Sequence, residues 1–445
     1  QKMAAAATKV EAVSEKPKAK RVLRPIVVTG KIVQVEKPVH AKFCYDTQKT
    51  KPGEIVLVES ITEDGIVNVI NVFMDTKKMV KKGTKLTIVK KLDQANFIDN
   101  LGKSVTDIPL ARTKYMTGFD PEVFAVDENG VVIPAFKYLP PKENPLVFPA
   151  VSGNHEKNII FWDGFQAEFA TKEPGHCHAY AIDNIRFSLQ TIFNEARKFN
   201  PKATLTHKCV LDVPFEMMQE CTPDQSGLGC SPSKNVYGET KHLESLNPSE
   251  LPFRFAGCHI HYNTAMIPGA ENELMVRMLD AIAGVCSVAI LAGMEDDRRR
   301  KFYGLAGEYR LPKHGLEYRV LSSAILAHPI LMIFFLDFTR QIVGDARRLS
   351  FAWKVSESET KEVINNLDVD QSKAIINRNK TLIKNMIRGA YGSERVDKVF
   401  GLFDKGAMKV LPIGDMEKNW KFNKSWSNHV GDPNTCVAKW VIANK

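Results

Sequence analysis

The sequence predicts an α+β protein: an antiparallel sheet covered by helices on one face, preceded by a small β-rich module. Three observations predict it. From Val22 to about Leu92, apolar residues recur at every second position, the period of a half-buried strand. From Tyr115 onward, short strand-like runs come in hairpin-like pairs separated by long amphipathic stretches, as in sheets whose helices lie on one side. Apolar residues make up 44% of 445 residues, enough for a sizeable core.

Residues 1–21, "QKMAAAATKVEAVSEKPKAKR", are rich in Ala, Lys and Glu, have no apolar face and read as a disordered basic tail. Half of the net charge of +10 falls within residues 1–25, so the rest is only mildly basic and gives no sign of a nucleic-acid surface. Residues 22–112 form the β-rich module. "RPIVVTGKIVQVE", "EIVLVESITEDGIVNVINVF" and "TKLTIVKKL" alternate as strands do, and Asp64–Gly65 marks a hairpin turn. Lysine pairs at 77–78, 81–82 and 90–91 suit an acidic partner or, more simply, a solvated sheet edge. Residues 113–445 form the second domain. Its strands are expected at 117–126, 131–136, 158–163, 165–170, 254–263 and 315–321. Its helices are expected near 177–199, 271–299, 323–346 and 370–390. The Gly/Ser/Pro/Asn-rich stretch from about 219 to 250 reads as a lid or binding loop.

Eight cysteines are scattered without paired spacing, which fits a reduced, cytoplasmic protein; Cys221 and Cys230 alone share a loop. The first residues carry no apolar run of the kind a signal peptide needs, so none is expected. The longest apolar runs, "LDAIAGVCSVAILAGM" and "AILAHPILMIFFL", are shorter than a membrane span and carry Asp280 or His328–Pro329, so they read as buried helices, with no membrane partner. No Ser/His/Asp or Cys/His nucleophile signature is visible.

The chemistry concentrates in four strands. "GFDPEVFAVD" puts Asp120 and Glu122 two residues apart, hence on one strand face, in an otherwise apolar run. Like charges so placed cost energy unless something cationic lies between them. "DGFQAEFAT" does the same with Gln166 and Glu168, "FRFAGCHIHYN" with His259 and His261, and "GLEYRVLSS" with Glu317 and Arg319. A solvated outer face explains any one pair; four such pairs point to a shared site. Carboxylates with imidazole and no thiolate suit hard divalent cations, Mg²⁺ or Mn²⁺. Arg310 in "GEYRLP", with Arg298, Arg299 and Arg300 upstream, suits phosphate oxygens. His261 reads equally as a nucleotide contact and as a satisfied sheet histidine. His176 and His178 flank Cys177 at a helix start, where a polar loop or cap is a simpler reading than a zinc site lacking its fourth ligand.

In order and approximate spacing, "GFDPEVFAVD", "AEFAT", "AGCHIHYN" and "FYGLAGEYRLPKHGLEYRVLSS" resemble the metal- and phosphate-binding strands of glutamine synthetases and related carboxylate–amine ligases. The likeness spans residues 115–325, weakens toward about 400, and is strongest to the ligases encoded by tailed bacteriophages. It implies a half-barrel of antiparallel strands with ATP entering one end, substrates the other, and divalent ions at the waist. Carried over, Asp120, His259 and Glu317 hold the ion on the ATP phosphates, and Glu122 and Glu168 hold the ion near the carboxylate substrate. Arg310 and Arg319 stabilise the transferring phosphoryl group, with Arg299 and His261 beside the nucleotide. Asp120 stands where those ligases carry a glutamate. The further acid expected downstream of Glu168 has no clear match, Glu173 being nearest and His176 a substitute.

The resemblance implies an ATP-dependent ligase that joins a carboxylate to an amine through an acyl phosphate. Phosphoryl transfer to a guanidino or amine group is a rival reaction for such a fold. A non-catalytic structural or attachment component of a phage particle is the rival without chemistry. The expected partners are small-molecule or peptide carboxylates and amines, further copies of the chain in a homo-oligomer, and, on the last reading, a viral structural protein. The expected location is the cytoplasm, that of the host if the protein is viral, with the virion as the alternative.

Overall fold

The structure, a computed structural model, describes residues 115–422 except 116, 150–156, 172–177, 229–232, 240–246 and 392, together with six strands between residues 25 and 90. The expected tail and residues Glu173, His176, Cys177 and Cys230 lie outside the described residues. The six strands are β1 (Pro25–Val27), β2 (Val39–Phe43), β3 (Ile55–Ile61), β4 (Val67–Asn71), β5 (Lys77–Val80) and β6 (Lys85–Lys90). They form one antiparallel sheet in the order β1-β6-β2-β3-β4-β5, with β3 and β4 paired on either side of Asp64–Gly65.

A second, ten-stranded sheet carries the polar pairs. Along its main path lie β14 (Lys234–Asn235), β17 (Glu308–Arg310), β18 (Gly315–Tyr318), β16 (Cys258–Asn263), β7 (Thr117–Val126), β11 (Gln166–Thr171), β10 (Lys157–Asp163) and β9 (Leu146–Pro149), in that order. The short strands β8 (Val132–Ile133) and β12 (Thr204–Thr206) pair with the end of β7, and β13 (Val210–Asp212) pairs with β15 (Phe253–Phe255) apart from the sheet. All of these strand pairs are antiparallel. β7 is the axis. Residues 117–121 pair with β16, 122–123 with β11, and 124–126 with β12 and β8.

Side-chain alternation explains which face is which. Phe119, Val123 and Ala125 of β7, Ala167 and Phe169 of β11, Cys258, Ile260 and Tyr262 of β16, and Leu316 and Tyr318 of β18 all enter the main core. That core is closed by helices His178–Phe199, Gly269–Met278, Val285–Ile290 and Pro329–Gly344. The intervening residues, Asp120, Glu122, Glu168, His259, His261 and Glu317, share the opposite face. Beyond Glu122 that face turns apolar, where Phe124 and Val126 pack with Phe165, Leu211, Val213 and Ala256.

Both long apolar runs are buried helix, and among the described residues no helix is long and apolar enough to cross a membrane. Several expected boundaries shift for local reasons. The strand expected at 254–263 breaks between β15 and β16 at Ala256–Gly257, and the run 131–136 is strand only at 132–133 before Pro134 starts a 3-10 turn. The helix expected at 271–299 runs through a π-helical stretch, Leu279–Gly284, to Ile290; a separate helix, Asp297–Phe302, is capped by Asp296. Pro329 sits at the first turn of its helix, which His328 caps, and this splits 323–346 into a 3-10 turn and a helix. The helix expected at 370–390 is two, Val369–Arg378 and Lys380–Tyr391. Helices Glu357–Asn366, with its Ser356/Glu359 capping box, and Val396–Lys405 were not expected.

The chain between 415 and 422 locks onto helix His178–Phe199. Arg186 donates to the Trp420 and Lys421 carbonyls at 2.9 and 2.8 Å, and the fully buried Trp420 indole donates to the Leu326 carbonyl at 2.7 Å. Trp420→Ala should therefore cost about 3–5 kcal/mol of stability by cavity formation. Urea unfolding followed by circular dichroism measures it; a loss under about 1 kcal/mol would mean that this segment does not complete the core.

Candidate active site

The sheet register assembles the polar face. His259 lies directly opposite Asp120, His261 opposite Glu317, Glu168 opposite Glu122, and Arg310 opposite Glu317. Two groups of possible metal ligands result, each with its ligand atoms within 4.8 Å of one another: Asp120, His259 and Glu317, and next to them Glu122, Asp163 and Glu168. The first group joins three strands. His259 Nδ1 lies 3.6 Å from Asp120 Oδ1 and 3.5 Å from Glu317 Oε1. The second joins β7 to the β10–β11 hairpin.

Electrostatics differ between the two. In the first group burial opposes the charge on Asp120, but His261, which bonds it, and His259 beside it outweigh burial and hold the carboxyl well below its usual range. Glu317 is likewise lowered, because His259 and Arg319 outweigh burial and Asp120. Burial, then Arg319, pushes His259 down to about 4, so its ring is neutral at physiological pH, the form a metal ligand needs. In the second group the carboxylates lack such partners. Burial, then Asp163, raises Glu122 to about 7; burial raises Asp163 to about 6; burial, then Asp120 and Asp163, raises Glu168 well above its usual value. Lys142 reaches Glu168 only at 3.9 Å and is largely exposed. Beside this group the buried Gln166 Oε1 has no hydrogen-bond partner among the described residues. An imidazole nitrogen facing two carboxylates, and three carboxylates sharing a site with two of them buried, are what divalent cations relieve, so the residues fit hard metal ions.

Most of the expected site residues meet here. Asp120, Glu122, Glu168, His259 and Glu317 form the two groups. Arg319 is buried against Glu317, and Arg310 approaches Glu317 at 3.7 Å while staying partly exposed. His261 bonds Asp120 at 2.9 Å through Nε2 and His314 at 2.8 Å through Nδ1, so it belongs to the polar face. Arg299 does not. It is fully buried beside Tyr303, and its guanidinium is spent on the Val320 and Leu321 carbonyls at 3.0 and 2.9 Å rather than exposed on the polar face. Its neighbours are engaged too, Arg298 with Asp212 and Asp296 and Arg300 with Glu295. These arginines cap and anchor a helix rather than cradle phosphate.

Sequence reasoning missed Asp163, Tyr303 and His314. The third acid of the second group is Asp163, upstream of Glu168 at the end of β10; Glu173 and His176, the candidates downstream, lie outside the described residues. Gly164, with φ +66, makes the tight turn to β11, so Asp163 lies opposite Gln166 and on the face of Glu168. A two-residue turn at Gly164–Phe165 in "WDGFQ" carried that signal. Tyr303, just past helix Asp297–Phe302, left no periodic trace. Gly257 has room for no side chain: a Cβ there would come within 2.7 Å of His259 Nε2 and 2.9 Å of the Tyr303 ring.

The raised acids have a consequence for the metal-free protein. Folded Glu122 binds its proton up to about pH 7, against a value of 4.5 in the unfolded chain. Its contribution is thus fully present below about pH 4.5 and is lost as pH rises through 7. Relative to Glu122→Gln, the wild type should lose on the order of 3 kcal/mol of stability across that range. Saturating Mn²⁺ should abolish the loss. Urea unfolding from pH 4.5 to 7.5, with and without metal, reads it; parallel curves for the two proteins would contradict this placement of Glu122.

No curated protein matches the chain. Among solved structures, 11 chains match. Apo GmaS without ligand aligns at 10% identity and a TM-score of 0.33, over 77% of this chain and 79% of that one. A bifunctional glutathione synthetase from Pasteurella multocida aligns at 10% identity and a TM-score of 0.34, over 73% of this chain and 49% of that one. Overlaps that loose bear on neither fold nor chemistry. The family match is the informative one: residues 247–421, which carry His259, His261, Arg310, Glu317 and Arg319, match the model of the phage phiEco32-like COOH.NH2 ligase-type 2 family, while the strands of Asp120, Glu122 and Glu168 lie outside the matched residues.

Proposed function

We propose that the protein is an ATP-dependent ligase that joins a carboxylate to an amine through an acyl phosphate. The observation that carries this reading is the pairing, on one sheet face, of two adjacent acid-rich ligand groups with Arg310 and Arg319. The match of residues 247–421 to a carboxylate–amine ligase family supports it. A substrate carboxylate oxygen attacks the γ-phosphorus of ATP and ADP departs; the amine nitrogen then attacks the acyl carbon, phosphate departs, and the nitrogen gives up its proton. Bound Mg²⁺ or Mn²⁺ supplies charge neutralisation for the phosphates and the acyl phosphate. On this reading Asp120, His259 and Glu317 hold the ion at the nucleotide, and Glu122, Asp163 and Glu168 hold the ion at the carboxylate. Arg319 and Arg310 offset the charge that grows on the transferring phosphoryl group, an effect larger in the transition state than before it. His261, braced by Asp120 and His314, faces the nucleotide. Residues 113–445 form the catalytic unit, so a chain starting at 113 keeps nucleotide binding.

Calorimetry should show Mg²⁺–ATP binding that EDTA removes. Glu317→Gln should weaken that binding, because it removes a ligand. Arg319→Lys keeps the buried charge but loses the planar fork, and should lower the rate of ADP release about 10²–10³-fold with a smaller change in affinity. ADP release is measured across a panel of carboxylates and amines. Wild-type affinity and wild-type ADP release in both variants, with folding intact by circular dichroism, would sink the proposal. ATP binding that is equal with and without divalent metal would also sink it.

A further inference from the structure

We propose that Tyr303 is a positioning residue that joins the two candidate cation sites, fixing the tautomer of His259 on one side and the orientation of Glu122 on the other; this rests on the metal reading above. The Tyr303 hydroxyl lies 2.5 Å from His259 Nε2, 3.1 Å from Glu122 Oε1 and 3.3 Å from Arg319 Nη2. Donor and acceptor roles follow from what each group can do. The guanidinium only donates. The carboxylate of Glu122, once its proton has left above about pH 7, only accepts. The hydroxyl has one proton, so it goes to Glu122, and the phenol oxygen accepts from Arg319 and from a protonated His259 Nε2. The neutral imidazole then carries no proton on Nδ1, the nitrogen that faces Asp120 and Glu317 at 3.6 and 3.5 Å. Those distances are too long for good hydrogen bonds and leave room for an ion between the three groups.

The same hydroxyl limits Glu122. Its other oxygen, Oε2, accepts from the Gly257 amide at 2.5 Å, so both oxygens are held and their remaining lone pairs are left for the group formed with Asp163 and Glu168. The phenol is itself fixed. Its ring stacks on Phe255 at 5.1 Å, and the Arg299 and Arg319 guanidiniums lie 5.0 and 5.4 Å from its centre. Gly304, with φ +67, follows it; a Cβ there would run into the Arg299 guanidinium. Buried Arg299, which reaches no nucleotide, thus helps to hold the residue that serves both sites. Groups that bond to metal ligands in this way set ring orientation and ligand basicity.

The test uses the full-length chain, Tyr303→Phe and Mn²⁺ titration followed by electron paramagnetic resonance, with ¹⁵N-histidine NMR of metal-free protein above about pH 8, where Glu122 is ionised. Phenylalanine keeps the ring and its stacking and removes only the hydroxyl. Wild-type protein is expected to bind two Mn²⁺ and to show His259 protonated at Nε2, a resonance assigned by its loss in His259→Gln. In Tyr303→Phe both Mn²⁺ affinities should fall about 10–100-fold, and the His259 signal should move toward a mixture of tautomers. Two Mn²⁺ bound by the variant with wild-type affinity would overturn the role of Tyr303 and leave the metal reading standing. A wild-type His259 protonated at Nδ1 would overturn it without reference to any variant. Wild-type protein that binds no Mn²⁺ would overturn both.

Discussion

Five carboxylates on one sheet face are the constraint around which the rest is arranged. Asp120, Glu122, Asp163, Glu168 and Glu317 converge over a few ångströms, and all but Asp120 and Asp163 are almost wholly buried. Against them the face offers Arg319, Arg310 and an exposed Lys142. A cluster so charged can persist in three ways: by protonation, by paired cations of the chain, or by bound ions. The two halves of the face divide between these. The first group is balanced by Arg319 and His261, with the neutral His259 ring between its acids, and those acids are lowered. The second has no buried cation of its own, and its acids are raised. An ion would do most for the second group, where it replaces mutual repulsion with coordination.

That face can exist only because the other one is apolar. Each polar residue is flanked along its strand by residues that enter the main core, so a one-residue slip of β16 against β7 would bury His259 and His261 among the helices and expose Ile260. Register and chemistry are therefore set by the same alternation. The helices contribute rigidity more than reactive groups, and the arginine-rich helix Asp297–Phe302 supports the site through buried contacts to Tyr303 and to the chain after β18. Its buried guanidiniums satisfy the carbonyls of Val320 and Leu321, just past the end of β18, and hold Tyr303 between the two ligand groups.

This is also why much of the site was legible in the sequence and part of it was not. Asp120, Glu122, Glu168, His259, His261, Glu317 and Arg319 announce themselves because period-two alternation inside apolar runs fixes the face of each before any contact is known. Asp163 stands at a strand end, where face depends on turn geometry rather than on period. Tyr303 and His314 act from the end of a helix and from a hairpin loop, and such positions are set by tertiary packing. Arg299 misled for the opposite reason. A run of three arginines suits phosphate by composition, yet composition does not say which carbonyls and carboxylates of the chain those arginines will meet. The helix boundaries at Pro329 and Asp296 and the strand break at Gly257 followed local capping and close approach, which periodicity averages away.

The central claim is that this face holds two divalent ions and the phosphates of ATP together. A crystal structure of the protein grown with Mn²⁺ and a non-hydrolysable ATP analogue tests it most directly, because anomalous scattering locates manganese without prior assumptions. The account predicts one peak bounded by Asp120, His259 and Glu317, a second bounded by Glu122, Asp163 and Glu168, and analogue phosphates within reach of Arg310 and Arg319. Manganese absent from both groups would contradict it. So would an analogue bound elsewhere, for instance in the cavity of about 580 Å³ lined by Lys208, Asp212 and Arg298.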